Sequence, residues 1–252
     1  MPVQDTIEVM EQLIGGKRVA FFGGSFDPPH LGHLAVARAA QQALALDSVL
    51  FAPVGAQPLK PEGSTAGFDD RLAMTRLAIA GQPGFAISLL DAPKPAAAPN
   101  YTIDTLFAAR AELPADGVLF CLMGADSFFG MRRWHRGAEI PFVAPLIVAS
   151  RPGQPLDDLR TALSPGLTMT PVLPSMHSEA ASPSLGIDVR CYLLQNGGGE
   201  TALLYLLPGL HVEISASQIR EQIHSTSDSS NANPQLLSGS VLDYIRSNGL
   251  YR

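Results

Sequence analysis

The chain has 252 residues, 46% of them hydrophobic, and 17 Lys and Arg against 23 Asp and Glu, a net charge of -6. That length and apolar content suit one α/β domain with a real core and exclude global disorder, and no apolar run approaches the roughly 18 residues needed to cross a bilayer. The acidic balance argues against a nucleic-acid polymer as partner, which would need a clustered basic surface, whereas the few charges of a mononucleotide can be met locally.

The N-terminal MPVQDTIEVMEQ is acidic and polar, unlike a signal peptide. A first strand is expected at about Val19 to Phe22 and a helix from His30 to Leu46. Between them lies GGSFDPPHLGH, residues 23–33, at the mouth of a strand-loop-helix unit. Phosphates bind at such places because the unpaired N–H groups and positive dipole end of a helix N-terminus attract anions. Gly23 and Gly24 permit close approach of a phosphate and turn conformations that other residues resist. Three residues apart, His30 and His33 can point both imidazoles at one phosphate group. A Gly pair alone is a common tight turn and Pro28-Pro29 a common helix entry. It is the combination of Gly pair, Ser25, an Asp, two prolines and HxGH after the first strand that points to function.

Next come an apolar strand at Val49 to Pro53, a Pro/Gly-rich loop from Gly55 to Gly67, and a helix from Asp69 to Ala80. Lys60 in that loop is placed to neutralise phosphate charge. A strand near Phe85 to Leu89 precedes a Pro/Ala-rich loop, and Tyr101 to Leu113 reads as a helix with Thr102 as its cap and Asp104 as a first-turn acid. Val118 to Met123 and Phe142 to Ser150 are apolar runs of strand length. Apolar on both faces, these runs read as buried parallel strands. GADSFFGMRRW, residues 124–134, opens at the end of the first of them. Asp126 there could be a first-turn acid and Trp134 a core residue.

From about 165 to 208 the sequence is less orderly. PVLPSMHSEAASPS is turn-rich, whereas RCYLLQ and ETALLYLL flank Asn196-Gly197-Gly198-Gly199 and suggest a hairpin with Asn-Gly supplying positive φ. In ISASQIR, Ser215 and Ser217 can cap a helix that carries Arg220 one turn in, which makes a second anion site. The tail VLDYIRSNGLYR has Val241, Tyr244 and Ile245 at helical spacing and a Gly249 stop, so a docked helix is expected within 234–250. Cys121 and Cys191 show no metal or disulfide spacing and read as buried thiols in a reducing cytoplasm.

The GGSFDPPHLGH block resembles the phosphate-binding signature of the HxGH nucleotidyltransferase superfamily, most closely that of bacterial nicotinate-nucleotide adenylyltransferases. ISASQIR is similar to that family's ISSTxIR with Ala216 replacing a serine, GADSFFGMRRW to its GADxxxxxxxW, and NYTIDTL to its SYTxDTL. Leu59 stands where the family usually has a histidine before the lysine. The resemblance covers most of residues 17–164 and 203–252, so 165–202 reads as an insertion in a single domain spanning 1–252.

What the resemblance implies is a Rossmann-like, doubly wound α/β fold with a mainly parallel sheet and helices on both faces. The implied reaction is adenylyl transfer from ATP to nicotinate mononucleotide, in NAD biosynthesis. Gly23, Gly24, Ser25, Phe26, His30, His33, Lys60, Ile214, Ser215, Ser217 and Arg220 would bind ATP, with His30, His33, Lys60 and Arg220 catalytic. Tyr101, Thr102, Gly124, Asp126, Trp134 and Arg151 would bind the nicotinate mononucleotide. Mg²⁺ would accompany ATP, held mainly by phosphates rather than by a protein metal site, and a homo-oligomer is possible. Rival readings are transfer to nicotinamide mononucleotide or phosphopantetheine, and a nucleotide-binding regulator without catalysis. The phosphopantetheine enzymes tend to be shorter and lack the Trp134 and Thr102 motifs. An aminoacyl-tRNA synthetase is disfavoured by length, acidity and the lack of a KMSKS-like loop.

Overall fold

The computed structural model describes residues 18–60, 62–150, 156–172, 187–209, 215–225 and 236–252. The N-terminal segment, Arg151, Ile214 and most of PVLPSMHSEAASPS lie outside the described residues. In chain order the elements are β1 (Arg18–Gly24), α1 (Leu31–Ala43), β2 (Ser48–Pro53), α2 (Phe68–Ile79), β3 (Phe85–Ile87), α3 (Thr102–Glu112), β4 (Val118–Gly124) and α4 (Ala125–Gly130). They continue with α5 (Ile140–Val143), β5 (Leu146–Ala149), α6 (Leu156–Thr161), β6 (Thr168–Val172), β7 (Arg190–Gln195), β8 (Thr201–Leu207), α7 (Ala216–Ser225) and α8 (Gly239–Ser247).

All the described strands join one sheet in the order β3-β2-β1-β4-β5-β8-β7-β6. The first six of that order pair in parallel, and β7 and β6 add on antiparallel. The apolar runs of β1 and β4 are buried because each face of the sheet carries helices. Phe21, Leu119, Cys121 and Met123 face α3 through Ile103, Leu106 and Ala109. Their neighbours Ala20, Phe22, Phe120 and Leu122 face α1 through Leu34, Ala37 and Ala40. Alternation along a strand thus serves two cores rather than one core and solvent. The sheet is doubly wound, as expected.

Strands β1 and β4 are neighbours, yet the connection after β1 leads to β2 on one side and that after β4 leads towards β5 on the other. This is the topological switch point, where a crevice opens beyond the carboxyl ends of the strands. GGSFDPPHLGH follows β1 and GADSFFGMRRW straddles the end of β4, so both motifs meet there.

Several expected boundaries moved. Residues 142 and 143 are not strand: Ile140–Val143 forms a helical turn with Pro141 near its start, where a missing N–H costs nothing. Pro145 cannot donate to a ladder, so the strand begins at Leu146 while the Pro145 carbonyl accepts from Cys121 N at 2.9 Å. Thr102 is the first helical residue and Tyr101 the cap position. The hairpin exists, but its positive φ falls on Gly199 (84°) and not on the Asn-Gly pair. Instead Asn196 Oδ1 accepts from the N–H groups of Gly198 and Glu200, both at 3.0 Å, a side-chain-closed turn.

The tail docks as a helix. Val241, Leu242 and Ile245 of α8 pack with Met74 and Ala78 of α2 and Ile219 and Ile223 of α7, in a core separate from the two beside the sheet. Ser238 caps α8 by accepting from Val241 N, and Tyr244 donates to Asp70 Oδ1 at 3.0 Å. Among the described residues no helix is long and apolar enough to cross a membrane.

Gly55 leaves β2 against the chain at Pro93: a Cβ there would lie 2.5 Å from Pro93 Cα and N. The contact is with backbone, which cannot swing aside. Gly55→Ala is expected to cost about 1–3 kcal/mol through overpacking, seen as a fall in Tm of about 2–4 °C per kcal/mol. An unchanged Tm in thermal unfolding would show that the 91–93 segment yields freely.

Candidate active site

One cleft of about 1020 Å³ opens at the switch point. Gly23, Gly24, Ser25, Phe26, His30, His33, Lys60, Tyr101, Thr102, Gly124, Asp126, Trp134, Ser215, Ser217 and Arg220 all line it. Every expected site residue among those described is therefore brought to one place, from segments nearly 200 positions apart.

On the phosphate side the glycines serve a different purpose from a turn. Gly23 and Gly24 belong to β1, paired with Ala52 and Pro53. A Cβ on Gly23 would come within 2.9 Å of the Phe21 ring, and one on Gly24 within 3.3 Å of the Phe26 ring. The left-handed backbone falls on Phe26 instead, at φ 47°. Its buried ring packs edge-on to Phe22 and to His33, which fixes that strained residue in place. The Asp27–Pro28 peptide is cis.

His30 is the N-cap of α1, and the His33 ring lies stacked on it with centroids 3.7 Å apart. His30 N–H donates to His33 Nδ1 at 3.1 Å. That bond sets the tautomer: a neutral His33 with Nδ1 accepting carries its proton on Nε2. Burial lowers His30 to about 4, and its Nδ1 is buried with no hydrogen-bond partner among the described residues, which further disfavours a cation needing two acceptors. His33 is lowered well below the ordinary histidine value by burial first and by the neighbouring His30 second. Both rings are neutral at neutral pH.

Beneath this pair sits an ionic hub. Asp27, buried, accepts from Thr65 N at 2.6 Å, Ala66 N at 3.1 Å and the Tyr251 hydroxyl at 2.7 Å. Arg220 donates through Nη1 to the Asp27 carbonyl at 2.7 Å, with the Asp27 carboxylate 3.9 Å away, and through Nη2 to Ser217 Oγ at 3.2 Å. Arg71, only 2% exposed, spends its fork on three carbonyls: Ser25 at 2.7 Å, Val54 at 2.8 Å and Ala66 at 3.2 Å. Those three bonds tie the phosphate loop, the end of β2 and the start of α2 together. Lys60 reaches back from its loop to Ser25 Oγ at 3.2 Å. Ser215 caps α7 by accepting from Gln218 N at 3.2 Å while Gln218 Oε1 accepts from Ser215 N at 3.3 Å, a reciprocal capping box.

The other half of the cleft is aromatic and polar. The Tyr101 ring lies 4.3 Å from that of His135, beside the half-buried Trp134. Below them Asn100 accepts from Ala56 N and donates to Ala92 O, and buried Asp91 accepts from Thr105 Oγ1 at 2.7 Å. Burial raises the Asp91 pKa. Asn100 and Asp91 thus fix the entrance of α3, where Tyr101 and Thr102 stand. Among the described residues no group of three or more His, Cys, Asp or Glu is placed to hold a metal ion. The thiols of Cys121 and Cys191 are free and buried, and burial pushes Cys121 up to about 12.

Sequence reasoning counted Asp27 in the motif without giving it a role, and missed Arg71 and Tyr251 as parts of the site and Asp91, Asn100 and His135 as its lining. A faint signal existed for Arg71: DDRLAMTRLAI places it on the apolar face with Leu72 and Met74, where an arginine needs partners. No local pattern announces Tyr251, whose partner is 224 positions away.

The cytidylyltransferase-like family matches residues 21–226. A probable nicotinate-nucleotide adenylyltransferase of Pseudomonas fluorescens is 34% identical over 94% of this chain and 98% of its own length. One of Thermus thermophilus is 43% identical over 56% of this chain and 73% of its own. Among solved structures, Plasmodium falciparum nicotinic acid mononucleotide adenylyltransferase complexed with NaAD aligns over 93% of this chain and 97% of that one, with a TM-score of 0.65 at 15% identity. At that identity the likeness speaks for the fold. With its HxGH histidines, its second helix-terminus arginine and its aromatic pocket in one cleft, and with a relative matched almost end to end, the chain belongs to the nicotinate-nucleotide adenylyltransferase family.

Proposed function

We infer that the protein transfers the adenylyl group of ATP to nicotinate mononucleotide, giving nicotinate adenine dinucleotide and pyrophosphate in NAD biosynthesis. The observation that carries this reading is the convergence of two phosphate-facing helix starts and one aromatic pocket on a single cleft. The 5′-phosphate of nicotinate mononucleotide attacks the α-phosphorus of ATP in line, and the bond from that phosphorus to the oxygen bridging it to the β-phosphorus breaks, so that this oxygen and its electron pair leave with pyrophosphate. The nucleophile is already ionised at neutral pH, so neither a protein base nor a covalent intermediate is needed. Orientation and charge stabilisation remain the enzyme's task.

On this reading His33, neutral with its proton on Nε2, donates to an oxygen on the transferring phosphorus, and His30 lies against the same group. Ser25 adds a hydroxyl. Lys60 and Arg220 offset the charge that builds on the departing pyrophosphate. Gly23, Gly24 and Phe26 shape the floor, and Ser215 and Ser217 present the start of α7. Enzymes of this type take ATP with a divalent ion; we assign Mg²⁺, which would enter as part of the substrate and would be held mainly by phosphate oxygens and water. Trp134 stacks on the pyridine ring, Tyr101 and Thr102 receive its carboxylate at the start of α3, and Gly124 and Asp126 flank the mononucleotide. Within 165–202, β6 and β7 are an addition at the sheet edge of one domain, of which α8 forms the closing helical part.

Purified protein with ATP and Mg²⁺ is expected to release pyrophosphate with nicotinate mononucleotide at a higher kcat/KM than with the amide, and not with phosphopantetheine. ATP binding without release for any acceptor would favour a regulator. His33→Ala is expected to lower kcat about 100-fold or more, as removal of a preorganised donor does, with a smaller change in KM for ATP. Near-normal turnover would remove His33 from its role. Trp134→Ala is expected to raise KM for nicotinate mononucleotide about tenfold and to leave that for ATP unchanged.

The histidines also set a pH dependence of stability. His30 falls from 6.5 to about 4 on folding, so between those values the unfolded chain binds more protons and stability drops as pH falls. Denaturant unfolding of His30→Gln should lose this slope, and the gap between wild type and variant should shrink by on the order of 3 kcal/mol from pH 6.5 to 4. Parallel pH profiles for the two proteins would show that His30 is not held neutral.

A further inference from the structure

Tyr251, next to last in the chain, lies far from the cleft's chemistry in sequence and does not line it, yet it is tied to its centre. The residue is buried, adopts a left-handed backbone at φ 63° without being glycine, and aims its hydroxyl at Asp27 Oδ1 at 2.7 Å. A strained backbone ending in a buried hydrogen bond persists only when its surroundings hold it there. Burial first, and the adjoining Asp27 second, raise the phenol's pKa, so the hydroxyl stays a donor at any working pH.

A second contact points the same way. The first N–H of α1, at Leu31, donates to Leu236 O at 3.0 Å, so the helix that carries His33 begins against the C-terminal segment. The segment itself is anchored from behind by Ser240 to Leu77 O and Tyr244 to Asp70. Residues 236–252 thus reach the phosphate side at two points, one on each side of Pro28-Pro29.

We propose that Tyr251 is a positioning residue for ATP: its hydroxyl holds Asp27 in the orientation that places Arg220 and the 63–66 end of the Lys60 loop around the phosphates. The Asp27 carboxylate has donors from Thr65, Ala66 and Tyr251 and the Arg220 fork beside it. With the hydroxyl removed, Oδ1 keeps only the Ala66 N–H among the bonds described here. The carboxylate is then free to turn towards Arg220, drawing its fork from the cleft and presenting a negative charge to an anionic substrate. The mononucleotide half, built on β4 and α3, shares none of these bonds.

This inference rests on the adenylyl-transfer reading for its kinetic arm but not for its binding arm. Full-length Tyr251→Phe, which keeps the ring, is compared with wild type in steady-state turnover and in titration with a non-hydrolysable ATP analogue. Expected are a rise of about fivefold to tenfold in KM for ATP and in the analogue's Kd, with KM for nicotinate mononucleotide within twofold and Tm lowered by only a few degrees. Unchanged ATP parameters in the folded Phe variant would overturn the proposal. So would a fall in affinity for both substrates together with Tm, or failure of the Phe variant to fold, either of which marks a purely structural bond. If wild type binds the analogue but forms no dinucleotide, the functional reading fails and the titration alone still decides this one.

Discussion

Asp27 is a buried acid that lines the cleft, and the architecture around it is arranged to keep its carboxylate occupied. Backbone donors from the 65–66 segment, a phenol from the chain end and a guanidinium from α7 all converge on it. Arg71 performs the complementary task, binding three carbonyls from three segments with almost no exposure to water. A buried guanidinium is costly unless every donor is used, and burial lowers its pKa even beside Asp27. Its use of Nε, Nη1 and Nη2 on separate strands of chain converts that cost into geometry: Ser25, Val54 and Ala66 cannot move independently. The cleft is therefore held together at Ser25, Val54 and Ala66.

Against this frame the histidines contribute dipoles more than charge. Two imidazoles stacked at 3.7 Å would repel if both were protonated, and burial already disfavours the first proton. Basic side chains at the cleft are instead Lys60, Arg133 and Arg220, of which Lys60 is held through Ser25 and Arg220 through the Asp27 carbonyl. The division suits adenylyl transfer. On the proposed reading, preorganised N–H donors would follow the charge redistribution on the central phosphorus, while cations further out would attend the leaving group. Leu59, 48% exposed beside Lys60, offers neither, and the histidine expected there in relatives has no substitute at that position.

Much of this was legible in the sequence because local patterns carry it. Apolar runs such as VLFCLM betrayed buried parallel strands, and the βα alternation placed GGSFDPPHLGH and GADSFFGMRRW at strand ends facing one crevice. Local patterns misled where two signals competed. The run from Phe142 looked extended, but Pro141 and Pro145 impose a turn before any strand begins. Gly23 and Gly24 looked like turn residues, whereas aromatic rings occupy the space their side chains would need. What remained illegible was the hub, since Arg71, Asp27 and Tyr251 act through contacts that link distant stretches and leave no spacing to read. A buried ionic network is a property of the tertiary fold alone.

The bond between residues 27 and 251 also has a temporal meaning. A chain synthesised from its N-terminus can assemble β1 to β5 and their helices while translation continues. It cannot close the contact at Asp27 until residue 251 has been synthesised and has left the ribosome. The surroundings of Asp27 are thus completed only after the sheet that carries them. A nascent chain, or one cut before residue 251, presents the scaffold of the enzyme without that closing contact.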